Sequence, residues 1–188
     1  MAVPRALTNL IVPTRNKGMQ PATQSVQSRH KEWGLQVNTQ IRTATPEDAP
    51  AISRVIIQSL RRSNAQDYPA EVITQVEQSF STEAIFSLLT QRQVFVATID
   101  HRVVATASLD RDVVRSVFVD PHHQGNGIGR QLMAMIRTVA IHRKIETLRV
   151  PSSITAEGFY FKLGFRKVRD EFHGAERTIV MEQAIGYS

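Results

Sequence analysis

The segment Val113–Arg130 restricts the possible folds of this chain more than any other. A β-type run ends at Pro121, Gln124, Gly125, Asn126, Gly127 and Gly129 follow, and an amphipathic stretch opens at Ile128. Strand, glycine-rich turn and helix must therefore succeed one another directly. Three glycines within five residues let the backbone approach another molecule closely, because no Cβ stands in the way. The first amides of the following helix have no intrahelical partner and sit at the positive end of its dipole, which suits a phosphate or pyrophosphate. The passage implies a ligand as well as a turn.

A length of 188 residues predicts one domain able to bury a full core. The chain has no cysteine, which excludes disulfides, thiolate catalysis and cysteine-ligated metals. No apolar run reaches membrane-spanning length, so no membrane partner and a cytoplasmic location are expected. The net charge of +6 is uneven: residues 1–36 hold five basic residues against Glu32 alone, whereas the remainder holds 18 against 16. A globular part so close to neutral argues against a nucleic-acid partner. Residues 1–37 have no sustained period and are rich in Gln, Ser, Thr and Pro. They read as a flexible basic extension before a domain at 38–188, with an organelle transit peptide as the alternative, since no acidic residue precedes Glu32.

From Gln40 the local signals sharpen. Ile41–Ala44 reads as a strand, and Thr45-Pro-Glu-Asp48 combines an N-cap, a proline at the first helical position and an acidic first turn. Ile52, Val55, Ile56 and Leu60 form the apolar stripe of the helix that follows. Pro69 can open a short helix through Val76, and Ser81 can cap another to Thr90, with Phe80 and Ile85 as a hydrophobic staple. Strands are expected at Val94–Ile99, Val103–Leu109 and Val113–Val119, joined by turns at Asp100–Arg102 and Arg111–Asp112. Ile128, Leu132, Met135, Ile136 and Val139 mark a long helix. Strand Thr147–Val150, helix Ala156–Leu163 and strands Phe165–Val168 and Arg177–Met181 complete the chain. The expected class is α/β: a largely antiparallel mixed sheet with helices on both faces.

This order, with two motifs, resembles the GCN5-related N-acetyltransferase (GNAT) superfamily. The first motif is the Q-x-x-G-x-G loop at Gln124–Gly129. The second is Ser153-Ile-Thr-Ala-Glu-Gly-Phe-Tyr-Phe-Lys-Leu-Gly-Phe165, and Ile41–Asp48 is similar to the family's opening. The resemblance covers about residues 40–183 and implies a parallel strand pair that splays apart, here Val113–Val119 and Thr147–Val150. It implies acetyl-CoA as co-substrate and an amine as acceptor. The pantetheine arm would bind the main chain of Val117, Phe118 and Val119, and amides from Gln124 through Gly125, Asn126, Gly127 and Gly129 to Arg130 would hold the pyrophosphate. Ser153 falls where the family commonly has a cofactor-contacting Asn, which is a departure. Homodimers are frequent in such proteins.

Residue chemistry runs parallel to that resemblance. Ala156 and Tyr160 lie four apart and share a helix face, where the small Ala156 leaves room for a cofactor and Tyr160 presents a hydroxyl. Phe159 and Leu163 share a neighbouring face expected in the core. Tyr160 is the expected general acid for the departing thiolate, with the Val119 amide polarising the thioester carbonyl. This strand offers Arg115 and Ser116 where many relatives have Glu, and Asp110, Asp112, His173 and Glu176 are candidate bases because they lie in turns or loops expected to reach the acceptor end. His122 and His123 lack a third ligand at a fitting interval, so no metal site is expected. Lys162 and Lys167 are candidates for the 3′-phosphate. Two other readings remain open from sequence: an acyl-CoA-binding sensor without catalysis, and transfer to the amino acid of a charged tRNA. The acceptor amine is not legible.

Overall fold

A computed structural model describes residues 39–63, 74, 77–173 and 176–186. The expected N-terminal extension, Trp33 and most of the helix expected at Pro69–Val76 lie outside these residues. The described elements are β1 (Gln40–Thr43), α1 (Ala49–Ser63), α2 (Thr82–Gln91), β2 (Gln93–Ile99), β3 (Arg102–Asp110), β4 (Val113–Val119), α3 (Ile128–His142), β5 (Thr147–Ser152), α4 (Glu157–Lys162), β6 (Arg166–His173) and β7 (Glu176–Ala184).

One seven-stranded sheet runs in the order β1-β2-β3-β4-β5-β7-β6. Every neighbouring pair is antiparallel except β4 and β5. Period-two alternation sends β2 side chains to two cores. Val94 and Val96 join Ile52, Val55, Ile56 and Leu60 of α1 on one face, while Phe95 and Ala97 join Leu132, Ile136 and Tyr160 on the other. Helices therefore cover both faces, as the sequence predicts.

Local chemistry explains the joints. Asp48 accepts from Arg42 at 2.6 and 2.9 Å and from the Thr45 amide at 2.8 Å, tying β1 to the entry of α1. Ser81 caps α2 by accepting from the Ala84 amide, and Phe80 and Ile85 are both buried. Asp100 and His101, both at positive φ, make the two-residue β2–β3 turn.

The last hairpin departs from expectation. The expected strands Phe165–Val168 and Arg177–Met181 extend to Arg166–His173 and Glu176–Ala184. β6 is an edge strand and carries Arg166, Lys167, Arg169, Asp170 and Glu171, so charge replaces the alternation that would have revealed its length. Asp170 holds Lys167 at 2.8 Å and Arg177 at 3.1 Å across this edge.

Candidate active site

The site follows from how β4 is held. β4 and β5 meet in register only at Val113 and Arg149, where the Arg149 amide donates to the Asp112 carbonyl at 2.9 Å. Beyond that point no β5 residue pairs with β4, so the two parallel strands part toward the C-terminal end of β4. β5 turns instead to β7, with Thr147 through Ser152 paired to Ala184 through Ile179. The splay expected from the resemblance is present.

On its other side β4 pairs with β3, Val119 opposite Ala105 and Phe118 opposite Thr106. The Asp120 amide donates to the Val104 carbonyl at 2.8 Å, which makes Val119–Ala105 a non-hydrogen-bonded pair. The amide and carbonyl of Val119 thus point away from β3, into the opening, whereas those of Phe118 are spent on Thr106. Phe118 instead packs its ring edge-on to Phe80, with 5.8 Å between centroids. The Val119 carbonyl accepts from Ser59 Oγ at 2.8 Å and from Gln124 Nε2 at 3.1 Å. These bonds hold the Val119–Asp120 peptide from α1 and from the loop, while the Val119 N–H belongs to the preceding peptide, whose Phe118 carbonyl faces Thr106.

Between Phe118 and Arg115 the register shifts, and β4 has one residue more than β3. Ser116 occupies this bulge at φ 53°, a conformation few non-glycine residues adopt. Its Oγ is buried and has no hydrogen-bond partner. It faces a cavity of about 10 Å³ lined by Ile52, Ile56, Ile85, Thr106 and Ser108.

The glycines of the loop do different work. Gly125 and Gly127 have φ of 85° and 78°, and a Cβ on either would meet nothing within 4 Å, so conformation demands glycine at both. Gly127 is the N-cap of α3. Gly129 has ordinary helical geometry; a Cβ there would lie 3.4 Å from the Phe159 ring and 3.7 Å from Val119. It lets α3 close on β4. The first α3 bond runs from the Gln131 amide to the Gly127 carbonyl at 3.1 Å, leaving the amides of Ile128, Gly129 and Arg130 without intrahelical acceptors. Gly125, Asn126, Gly127 and Arg130 are exposed, and no acidic residue occurs from Pro121 to Arg130.

Across the opening, Ser153 caps the 3-10 turn Ile154–Ala156 by accepting from the Ala156 amide at 3.3 Å. The two faces of α4 differ from expectation. Ala156 and Tyr160 are fully buried while Phe159 and Leu163 are only partly so, because this short helix lays its Tyr160 face on the core. The Tyr160 ring meets Phe159 and Phe165 edge-on, at 5.0 and 5.5 Å. Its hydroxyl has no hydrogen-bond partner, and burial pushes the phenol well above its ordinary pKa. Gly164 ends the helix at φ 94° and Phe165 returns to the sheet.

The candidate bases do not gather here. Asp110 accepts from Arg115 Nε at 3.1 Å, and Asp112 lies 3.4 Å from Arg149. Both sit at the joined end of β4 and β5, about 20 Å from Val119 at strand rise, so neither reaches the opening. The backbones of His173 and Glu176 flank the β6–β7 turn; their side chains lie outside the described residues. Lys167 is held by Asp170, and Lys162 is exposed. His123 Nδ1 is 3.4 Å from Asp120 Oδ1, which also accepts from the His122 amide at 2.8 Å.

A splayed parallel pair, a glycine loop that caps a helix and a buried tyrosine hydroxyl without a hydrogen-bond partner make up the candidate site. Residues 56–181 match the acetyltransferase (GNAT) domain family, and the chain belongs to that family of N-acetyltransferases. It is similar to the uncharacterized N-acetyltransferase YafP of Escherichia coli K12, 27% identical over 137 residues, 71% of this chain and 85% of that one. In fold it is similar to a GCN5-related N-acetyltransferase from Rhodopseudomonas palustris, with TM-score 0.71 and 22% identity over 77% of this chain and 94% of that one. The PaiA N-acetyltransferase of Thermoplasma acidophilum, solved with coenzyme A, gives TM-score 0.69 and 18% identity over 78% and 99%. Among the described residues no helix is long and apolar enough to cross a membrane.

Proposed function

We propose that this chain moves an acetyl group from acetyl-CoA to a primary amine by direct attack of the nitrogen on the thioester. The observation that supports this most is the pairing of an unpartnered, buried Tyr160 hydroxyl with a β4 strand freed from β5. A hydroxyl left unsatisfied inside a protein costs stability, so a bound group that uses it is the economical reading. Acyl-CoA also fits the cradle: the amides of Gln124 to Arg130, at the open end of α3, suit its pyrophosphate. The catalytic unit is read as residues 38–188.

In this reading the Val119 amide, and Val117 beside it on the same side of β4, bind the pantetheine. Phe118, its backbone spent on Thr106 and its ring packed on Phe80, only supports them from the core. The Val119 N–H, oriented by the pairing of Phe118 with Thr106, stabilises the carbonyl oxygen as it gains charge. The amine nitrogen bonds to the carbonyl carbon, the carbon–sulfur bond breaks, the thiolate takes the Tyr160 proton, and the proton lost by the nitrogen returns through water to the Tyr160 phenolate. A phenol whose pKa burial has raised is fully protonated at neutral pH and available as that acid. An alkyl ammonium has pKa about 10.4, so roughly one acceptor molecule in a thousand starts neutral at pH 7.4. Ser153 has its hydroxyl committed to the cap, so its part in holding the co-substrate would be to set the start of α4 beside Ala156.

The test is acetyl-CoA-dependent release of free thiol across a library of primary amines. Turnover with one amine class, abolished by omitting the amine, is the expected result. Binding of acetyl-CoA with no transfer to any amine would instead make the chain an acyl-CoA sensor.

A further inference from the structure

A second polar groove lies at the opposite end of the sheet. It has a volume of about 570 Å³ and opens between the end of α2, the β3–β4 turn and the end of α3. Arg92, Arg111 and Arg143 line it, and Asp110 is its single carboxylate. Asp110 is already engaged: it accepts from Arg115 Nε at 3.1 Å, while Arg92 Nε stands 4.0 Å away. Two of the lining residues carry a buried atom without any hydrogen-bond partner, Arg92 Nη1 and Gln93 Oε1.

The charges do not close. Three guanidiniums, those of Arg92, Arg111 and Arg143, line the groove against one carboxylate, and Arg115 also draws on that carboxylate. The Arg92 side chain is only 12% exposed. Burial lowers its affinity for the proton, Arg115 adds to that, and Asp110 opposes it only in part. A buried cation without a full counter-charge is costly unless something supplies one.

We propose that this groove is a binding site for a small oxyanion that also carries a hydroxyl. One oxygen would accept from Arg92 Nη1, with Arg111 and Arg143 at the rim, and the hydroxyl would donate to Gln93 Oε1. A hydrogen phosphate and a 2-hydroxycarboxylate share this chemistry. The site is distinct from the β4–β5 opening, a strand length away, and does not depend on the acyl-transfer reading.

The test is amide NMR on the full chain, titrated separately with inorganic phosphate and with lactate, in saturating coenzyme A so that the glycine loop is occupied. Saturable shifts are expected at Gln93, Asp110, Arg111 and Arg143, half-complete at or below about 1 mM for at least one probe. The more effective probe identifies the source of the oxyanion. If coenzyme A does not bind, phosphate shifts at Gln124–Arg130 will show it separately. Arg92→Met should weaken the groove response at least about tenfold, and should not lower the thermal midpoint in the absence of anion. Should that variant fail to fold, Arg143→Gln, on the exposed rim, should still weaken the response measurably. Shifts confined to Gln124–Arg130, non-saturating drift with both probes, or variants that titrate like the wild type would overturn the proposal.

Discussion

At the joined end of the β4–β5 pair, Arg149 gives its amide to Asp112 and its guanidinium to Asp112 and Glu182, at 3.4 and 3.2 Å. At the open end, Val119 has no β5 partner and the Tyr160 hydroxyl has no partner at all. The two strands thus bond to each other at one end and leave the Val119 N–H without a strand partner at the other. A sheet paired along its whole length would have no slot for a third strand-like molecule. On the proposed reading, function is placed where secondary structure is left incomplete, and the pairs at the joined end confine that incompleteness to one half of β4.

The sharpest way to break this contrast is Tyr160→Phe. If the hydroxyl serves a reacting group, kcat should fall about 100-fold or more while KM for acetyl-CoA changes little. The thermal midpoint should not drop, because the hydroxyl has no bond to lose. A lower midpoint with unchanged kcat would make Tyr160 a structural residue. The same substitution has a pH signature. The folded pKa is raised, so the unfolded chain gives up this proton first, near pH ~10. Stability is complete below that value and declines as pH rises through it; Tyr160→Phe should flatten the decline in an alkaline denaturation series.

Next in size is the loop. Gly127→Ala forces a Cβ into the left-handed region at φ 78° and should cost about 1–2 kcal/mol in denaturant melts, with weaker coenzyme A binding. Gly129→Ala should be close to neutral in the same melts. Its gain in helix propensity, about 1 kcal/mol, is set against a Phe159 contact at 3.4 Å. Equal losses at the two glycines would mean that both serve only packing.

Ser59→Ala tests the anchor behind the opening. It removes one of two donors to the Val119 carbonyl and should cost about 1 kcal/mol of stability. If the Val119–Asp120 peptide must hold the end of β4 in place, kcat should fall while KM for acetyl-CoA holds. Ser59 was legible in part: it sits on the stripe of Ile52, Val55, Ile56 and Leu60, and a polar residue on an apolar stripe must find a partner. What it bonds could not be read, because the partner lies 60 residues away. Ser116 gave no such signal. Its positive φ comes from a bulge set by pairing with β3, and serine is not a residue that advertises that conformation. The glycine loop and the hydrophobic stripes were readable because period and φ preference are local properties. The inward turn of Tyr160 and the length of β6 were not, since packing and edge position decide them.

The smallest expected effect is at the joined end, and its smallness is informative. Arg149→Gln removes both ion pairs, yet the arginine side chain is 52% exposed and water screens what it gains. The change should cost no more than about 1 kcal/mol in a denaturant melt, because the Arg149 amide still donates to Asp112 and β5 keeps its full register with β7. Acetyl transfer should be unaltered, since no charge at that end reaches the opening. A large loss of turnover with intact stability would mean that the ion pairs set how far β4 and β5 part, and that the two ends of the pair are coupled.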